Sequence, residues 1–305
     1  MDSLLGQLTR IKAVDPHSLV VVLLGVFILL LFLAGWIANA ALVAHFYIDR
    51  PDWKAMKATL RNRPWRFIHV ALIAAGIFLI QLQISGINYL FPALADSQWA
   101  SSTILKIALQ VLSFQVAAVV ILLILMRLGG ISWRSGFATP QNSLGRSVLH
   151  GIVGYVATFT VFIVVAFVYK MALLMFGIDA ESQPLIRKFL DPGTSSSLRF
   201  TIAFMAIVVA PFTEELMFRG VALPWLCKLI PAPAAIVVIS VVFAAVHWNI
   251  ASFVPLFVLS CGFSIAYLYS RNIAAPIVMH TAFNSLSIIS LYLLKDKASL
   301  LGLFM

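Results

Sequence analysis

The chain has 305 residues, of which 62% are hydrophobic and 10% charged, a balance that no water-soluble domain of this length keeps in solution. A hydrocarbon core of about 30 Å takes roughly 20 apolar residues per helix, and such runs recur from near the start of the sequence to its end. The net charge of +10 does not point to nucleic acid, because Lys and Arg sit at helix ends and in loops with no soluble domain to present them, so membrane lipids are the expected partners.

In chain order, the polar segment Met1 to Ser18 precedes a first apolar run, Leu19 to Phe46. It is too long for a signal-peptide core and no small-residue cleavage pattern follows, so it reads as a retained helix. Phe67 to Phe91, Thr103 to Met126 and Val148 to Phe176 follow, each ending near charges, Gly or Pro. The second half divides into Phe200 to Leu223, with Pro211 inside it, then Ala234 to His247, Phe253 to Tyr269 and Ala274 to Leu294. The runs are unbroken rather than alternating, which disfavours a transmembrane barrel. The expected fold is all-α: a polytopic transmembrane bundle of about eight helices around a polar intramembrane cavity.

Loop charges set the orientation. Arg50, Lys54, Lys57, Arg61, Arg63 and Arg66 crowd the loop from Tyr47 to Arg66, whereas Pro92 to Ser102 has no Lys or Arg; the first loop is therefore expected on the cytoplasmic side. Arg127, Arg134 and Arg146 place the third loop with it, which leaves both termini on the opposite face. Lys295 and Lys297 argue the other way. The polar insertion Gly177 to Arg199, with Pro192 and Gly193, is expected to carry a short surface helix. Cys227 and Cys261 lie in or beside apolar stretches without CxxC spacing and read as small buried side chains.

Polar residues in the first four helices, among them Asn39, Gln81 and Gln115 with His45, His69 and His150, read as interhelical or interfacial contacts. The second half is different. Glu214 and Glu215 stand side by side in an apolar run with Arg219, where one acid costs about 2.5 to 3.5 kcal/mol on insertion scales. Glu215 and Arg219 are four apart, on one helix face and in the favourable order; Glu214, about 100° around the helix, has no local partner. Phe243 and His247 are also four apart, and Trp248 with Asn249 ends that run. His280 and Asn284 repeat the spacing in the last helix. Each pair alone has a bland reading: an ion pair, an interfacial histidine, interhelical glue. Unpaired intramembrane ionisable groups gathered in one third of the chain point to chemistry instead.

Glu-Glu-x-x-x-Arg, Phe-x-x-x-His and His-x-x-x-Asn, in that order across successive membrane helices, resemble the CPBP intramembrane protease family, also called the Abi or type II CAAX prenyl endopeptidase family. The resemblance covers Phe200 to Leu294 and leaves residues 1–199 as helices without a recognised motif and 295–305 as a short tail. It implies an integral, multi-pass protein, expected in a bacterial plasma membrane, that hydrolyses a peptide bond of a membrane-associated substrate that in some members is lipidated. CAAX-type processing and bacteriocin immunity are the family's associations. Taken with the chemistry of peptide hydrolysis, it makes Glu214 the general base, with His247 holding the attacking water. Glu215 orients the site through Arg219, His280 and Asn284 face the scissile carbonyl, and Phe243 packs behind His247.

The competing expectation is a divalent metal such as zinc held by Glu214, His247 and His280. Asn284 is a poor zinc ligand, and no His-Glu-x-x-His occurs. Serine chemistry at Ser264 lacks a base partner, and aspartyl chemistry lacks intramembrane Asp. Two other classes are weighed: a non-catalytic membrane scaffold or immunity protein that keeps the cavity, and a proton-coupled transporter, which would be expected to show paired broken helices.

Overall fold

The computed structural model describes residues 16–50, 52–90, 103–138, 143–178 and 183–295; the loop from Pro92 to Ser102, the tail beyond Lys295, and Asp179 and Glu181 fall outside them. Among the described residues the chain is helical, with no strand. The helices are α1 (Pro16–Ile48), α2 (Trp53–Arg61), α3 (Phe67–Leu90), α4 (Thr103–Leu128), α5 (Trp133–Phe137) and α6 (Leu144–Met175). They are followed by α7 (Pro184–Leu190), α8 (Ser196–Leu229), α9 (Ala232–Ala245), α10 (Ile250–Ser270) and α11 (Ala274–Leu294). By length and composition α1, α6, α8, α10 and α11 are able to cross a membrane, and α3, α4 and α9 are further apolar helices. The eight apolar runs of the sequence are these eight helices. The remaining three are short: α2 and α5 lie in the basic loops, and α7 is the surface helix of the polar insertion.

The outward faces are apolar because lipid is their solvent. On α1, Leu23, Leu30, Ile37 and Val43 are exposed, a surface that would aggregate in water. Polar side chains then join helices to each other: Asn39 Nδ2 donates to the carbonyl of Ala157 at 2.9 Å and Thr160 Oγ1 to that of Phe32 at 2.9 Å, tying α1 to α6. At the centre, Phe159, Phe263, Met279 and Phe283 bring α6, α10 and α11 into one apolar cluster.

The basic loops meet at one end of the bundle. Arg63, 5% exposed, donates to the carbonyls of Arg134, Ser135 and Ala138 at 2.6–3.1 Å and to that of Arg271 at 2.9 Å. Lys228 Nζ donates to the carbonyls of Arg63 and Trp65, each at 2.7 Å. The loops expected to share a face are therefore fastened together by buried cations on backbone oxygens. The ends of α8 and α10 are fastened to the same knot.

α8 is not a regular α-helix. Met205–Val209 and Leu216–Ala222 are π-helical, and the two segments bracket Ala210–Glu215, which carries the paired carboxylates. Pro211 explains the first: it has no N–H and its ring displaces the preceding carbonyls, so the register slips rather than the helix ending. In the second, Gly220 receives the ring of Phe137 from α5, which a Cβ would meet at 2.5 Å.

Candidate active site

The ion pair comes first because it is wholly buried. Arg219 Nη1 donates to Glu215 Oε1 at 2.9 Å, and both side chains are 0% exposed. A buried charge pair is stable only when the remaining donors are also satisfied, and α10 supplies the acceptors. Arg219 Nη2 donates to the carbonyl of Ser260 at 3.0 Å and to its Oγ at 2.6 Å, and Nε reaches Ser264 Oγ at 3.4 Å. Ser264 Oγ donates back to the carbonyl of Ser260. The guanidinium carbon lies 4.7 Å from the ring centre of Phe243 and 5.1 Å from that of Phe263, each contact adding about 2 kcal/mol in a desolvated setting.

Glu215 has a second partner. Its Oε1 lies 2.8 Å from His280 Nδ1, and a carboxylate only accepts, so Nδ1 carries the proton. The imidazole is also stacked on Phe263, with ring centres 4.8 Å apart and planes at 23°. Its orientation and tautomer are thereby fixed, and the lone pair of Nε2 points away from Glu215. That nitrogen lies 4.0 Å from Glu214 Oε2. This oxygen is buried and has no hydrogen-bond partner in the protein, as is also true of Glu215 Oε2. The carboxylate without a local partner in the sequence meets a histidine of another helix in the structure, at a distance longer than a hydrogen bond.

His247 sits where α9 stops. The helix has 14 residues, about 21 Å against a hydrocarbon core of about 30 Å. His247 was expected inside this helix and instead lies two residues past Ala245, in the turn that ends with Trp248 at φ 49°. Its Nδ1 lies 2.7 Å from the carbonyl of Phe243, one of the terminal carbonyls that no N–H of the helix reaches. A carbonyl only accepts, so His247 too has its proton on Nδ1 and its lone pair on Nε2. The spacing of four is realised by a side chain capping its helix. Both imidazoles pack against the ring of Phe243, at 4.9 Å for His247 and 6.0 Å for His280 between centres.

Asn284, one turn beyond His280, donates from Nδ2 to the carbonyl of Ala206 at 2.7 Å. In α-helical register that carbonyl would receive the N–H of Ala210, which is donated instead to Met205. In π register it would receive the N–H of residue 211, and proline has none. Asn284 supplies the missing donor. His280 and Asn284 thus cross-link α11 to α8 at two levels, on either side of Glu214.

The structure brings Glu214, Glu215, Arg219 and His280 into one network, with His247 joined to it through Phe243 and Asn284 through the backbone of α8. Sequence reasoning missed Ser260 and the support roles of Phe263 and Ser264, the latter weighed only as a nucleophile, although the two serines stand four apart on an apolar helix, the same signal that exposed the other pairs. As candidate metal ligands, Glu214 Oε2 and His280 Nε2 form a pair. Among the described residues no three His, Cys, Asp or Glu side chains lie close enough to hold an ion, so His247 does not complete the set in this arrangement.

A helical membrane protein with a fixed arginine, two oriented imidazoles and a carboxylate oxygen without a hydrogen-bond partner inside its bundle is thereby defined. Residues 196–286 match the family model of the type II CAAX prenyl endopeptidase Rce1-like proteins, a segment that contains every motif residue. The chain is 30% identical over 182 residues to a Bacillus subtilis (strain 168) protein named Putative membrane peptidase YdiL, which covers 59% of this chain and 69% of that protein. The chain belongs to the CPBP family of intramembrane proteases, of which the Rce1-like endopeptidases are part. No solved structure matches it significantly.

Proposed function

We propose that this chain is an intramembrane endopeptidase that hydrolyses a peptide bond of a membrane-associated substrate, with Glu214 as the general base. The observation that carries the proposal is the pairing of an unbonded Glu214 Oε2 with His280 Nε2 at 4.0 Å. A water between them donates one hydrogen to each, which turns its lone pairs outward to the substrate carbonyl. Glu214 takes the proton as the oxygen attacks and returns it to the departing amine.

Glu215 acts through His280: it holds Nδ1 and so keeps Nε2 an acceptor. Arg219 holds Glu215. In this assignment the two histidines divide the work differently from the sequence expectation. His280 holds the water, and His247, the more exposed of the pair, stands at the end of α9 with Nε2 turned to the substrate side. Asn284 is a positioning residue that fixes the pitch of α8 at Glu214. The zinc alternative requires His247 to join Glu214 and His280.

Processing of a lipidated C-terminal segment, of the CAAX type, is the substrate class the family match supports, and a bacterial plasma membrane is the setting the Bacillus relative supports. The experiment is a comparison of membrane-proteome termini from cells with the wild-type chain and with Glu214→Gln. New termini that need Glu214 are the expected result. Identical termini would leave a non-catalytic scaffold or immunity protein as the function.

A further inference from the structure

At the basic end of the bundle, far along α8 from the carboxylates, Lys57, Arg61 and Lys228 line a cavity of about 220 Å³ together with Cys227, Leu229, Ile230 and Pro231. No acidic residue lines it. Among the described residues none of the three cations has a carboxylate partner, so like charges converge without a protein counter-charge.

The cations are placed by the fold. Met56 and Leu60 bury the inner face of α2, and Asp52 caps its start by accepting from the N–H of Ala55 at 2.8 Å. Lys54, Lys57 and Arg61 then fall at i, i+3 and i+7, one stripe flanking that buried face. Lys228 is held by the two carbonyls at 2.7 Å described above, so two of its three hydrogens are committed and the third is free to serve the cavity. Pro231, in the cavity wall, is the residue before the 14-residue α9.

We propose that this cavity binds the phosphate group of an anionic phospholipid. Three cations suit a phosphate. The lipid source, rather than a free phosphate, is favoured by the apolar edge: Leu229 is 64% exposed and lines the cavity at the turn between two membrane helices, where headgroups and acyl chains meet. The basic loops that converge here are those the charge distribution assigns to the cytoplasmic face, whose leaflet carries anionic lipid.

The test uses the full chain purified in detergent, titrated with phosphatidylglycerol, phosphatidylcholine or inorganic phosphate and followed by thermal unfolding. Phosphatidylglycerol is expected to raise the Tm, and neither phosphatidylcholine nor inorganic phosphate is expected to do so. Lys57→Gln/Arg61→Gln should weaken the apparent affinity for phosphatidylglycerol about 30-fold, and Lys57→Arg/Arg61→Lys should restore it. A cooperative unfolding transition without added lipid reports that the double Gln variant is folded. An unchanged phosphatidylglycerol response in that folded variant overturns the site. A Tm rise with inorganic phosphate equal to that with lipid overturns the lipid assignment.

Discussion

Asn284 Nδ2 donates to the carbonyl of Ala206, on another helix, at 2.7 Å, and that carbonyl lacks a helical donor because Ala210 bonds to Met205 and residue 211 is proline. The pair makes a specific expectation. Asn284→Ala leaves a part-buried carbonyl without a donor and should destabilise the protein by about 1–3 kcal/mol. Pro211→Ala restores an N–H to α8 and lets the regular ladder close. In a double-mutant cycle followed by denaturant unfolding, the loss from Asn284→Ala should shrink in the Pro211→Ala background. Strictly additive losses would mean that Asn284 serves some other group.

The buried ion pair should be intolerant of single changes. Glu215→Gln or Arg219→Met strands its partner inside the bundle, with an expected loss of about 3–5 kcal/mol. Arg219→Lys keeps the charge but cannot reach Glu215, Ser260 and Ser264 together, since an ammonium lacks the planar fork. It is expected to fold less stably and to lose activity, whereas Ser264→Ala, which removes the long 3.4 Å contact, should have a small effect on both. Thermal unfolding of the four purified variants checks the order.

Much of this was legible in the sequence. Eight apolar helices follow from eight unbroken apolar runs, because lipid-facing side chains need no alternation. The Glu215–Arg219 pair follows from a spacing of four inside one helix. Other features were not legible, for reasons that lie in tertiary structure. Pro211 reads as a break, and only the donor from Asn284 explains why α8 continues through it. His247 reads as a helical residue, but α9 ends two residues earlier and the imidazole caps it. The bond between Glu215 and His280 crosses 65 positions, and no local spacing reports it. Ser260 and Ser264 look like ordinary helix serines until Arg219 is placed against them.

The arrangement of Glu214, His247 and His280 bears on metal dependence. Because the three do not converge, prolonged dialysis against a chelator followed by elemental analysis should give metal-free protein with full cleavage activity. Activity that disappears on chelation and returns with zinc would require His247 to move onto the Glu214–His280 pair.

The basic knot offers a test of fold alone. Arg63 donates to four carbonyls from two segments of chain, and an ammonium has three hydrogens. Arg63→Lys should therefore lower the Tm, and Arg63→Met should lower it further by removing the side-chain donor from all four carbonyls, of which that of Arg134 keeps the N–H of Ala138. Equal Tm values for wild type and Arg63→Met would show that water takes over these contacts.

The central claim is that Glu214, and not merely a buried acid at this place, activates the water. Glu214→Gln removes the base while keeping the shape, and Glu214 has no hydrogen-bond partner in the protein at Oε2 whose loss would unfold it. With a substrate peptide identified from the termini comparison and purified protein, kcat for Glu214→Gln should fall by about 10²–10⁴-fold with the unfolding midpoint unchanged. Cleavage at the wild-type rate by this folded variant would contradict the account.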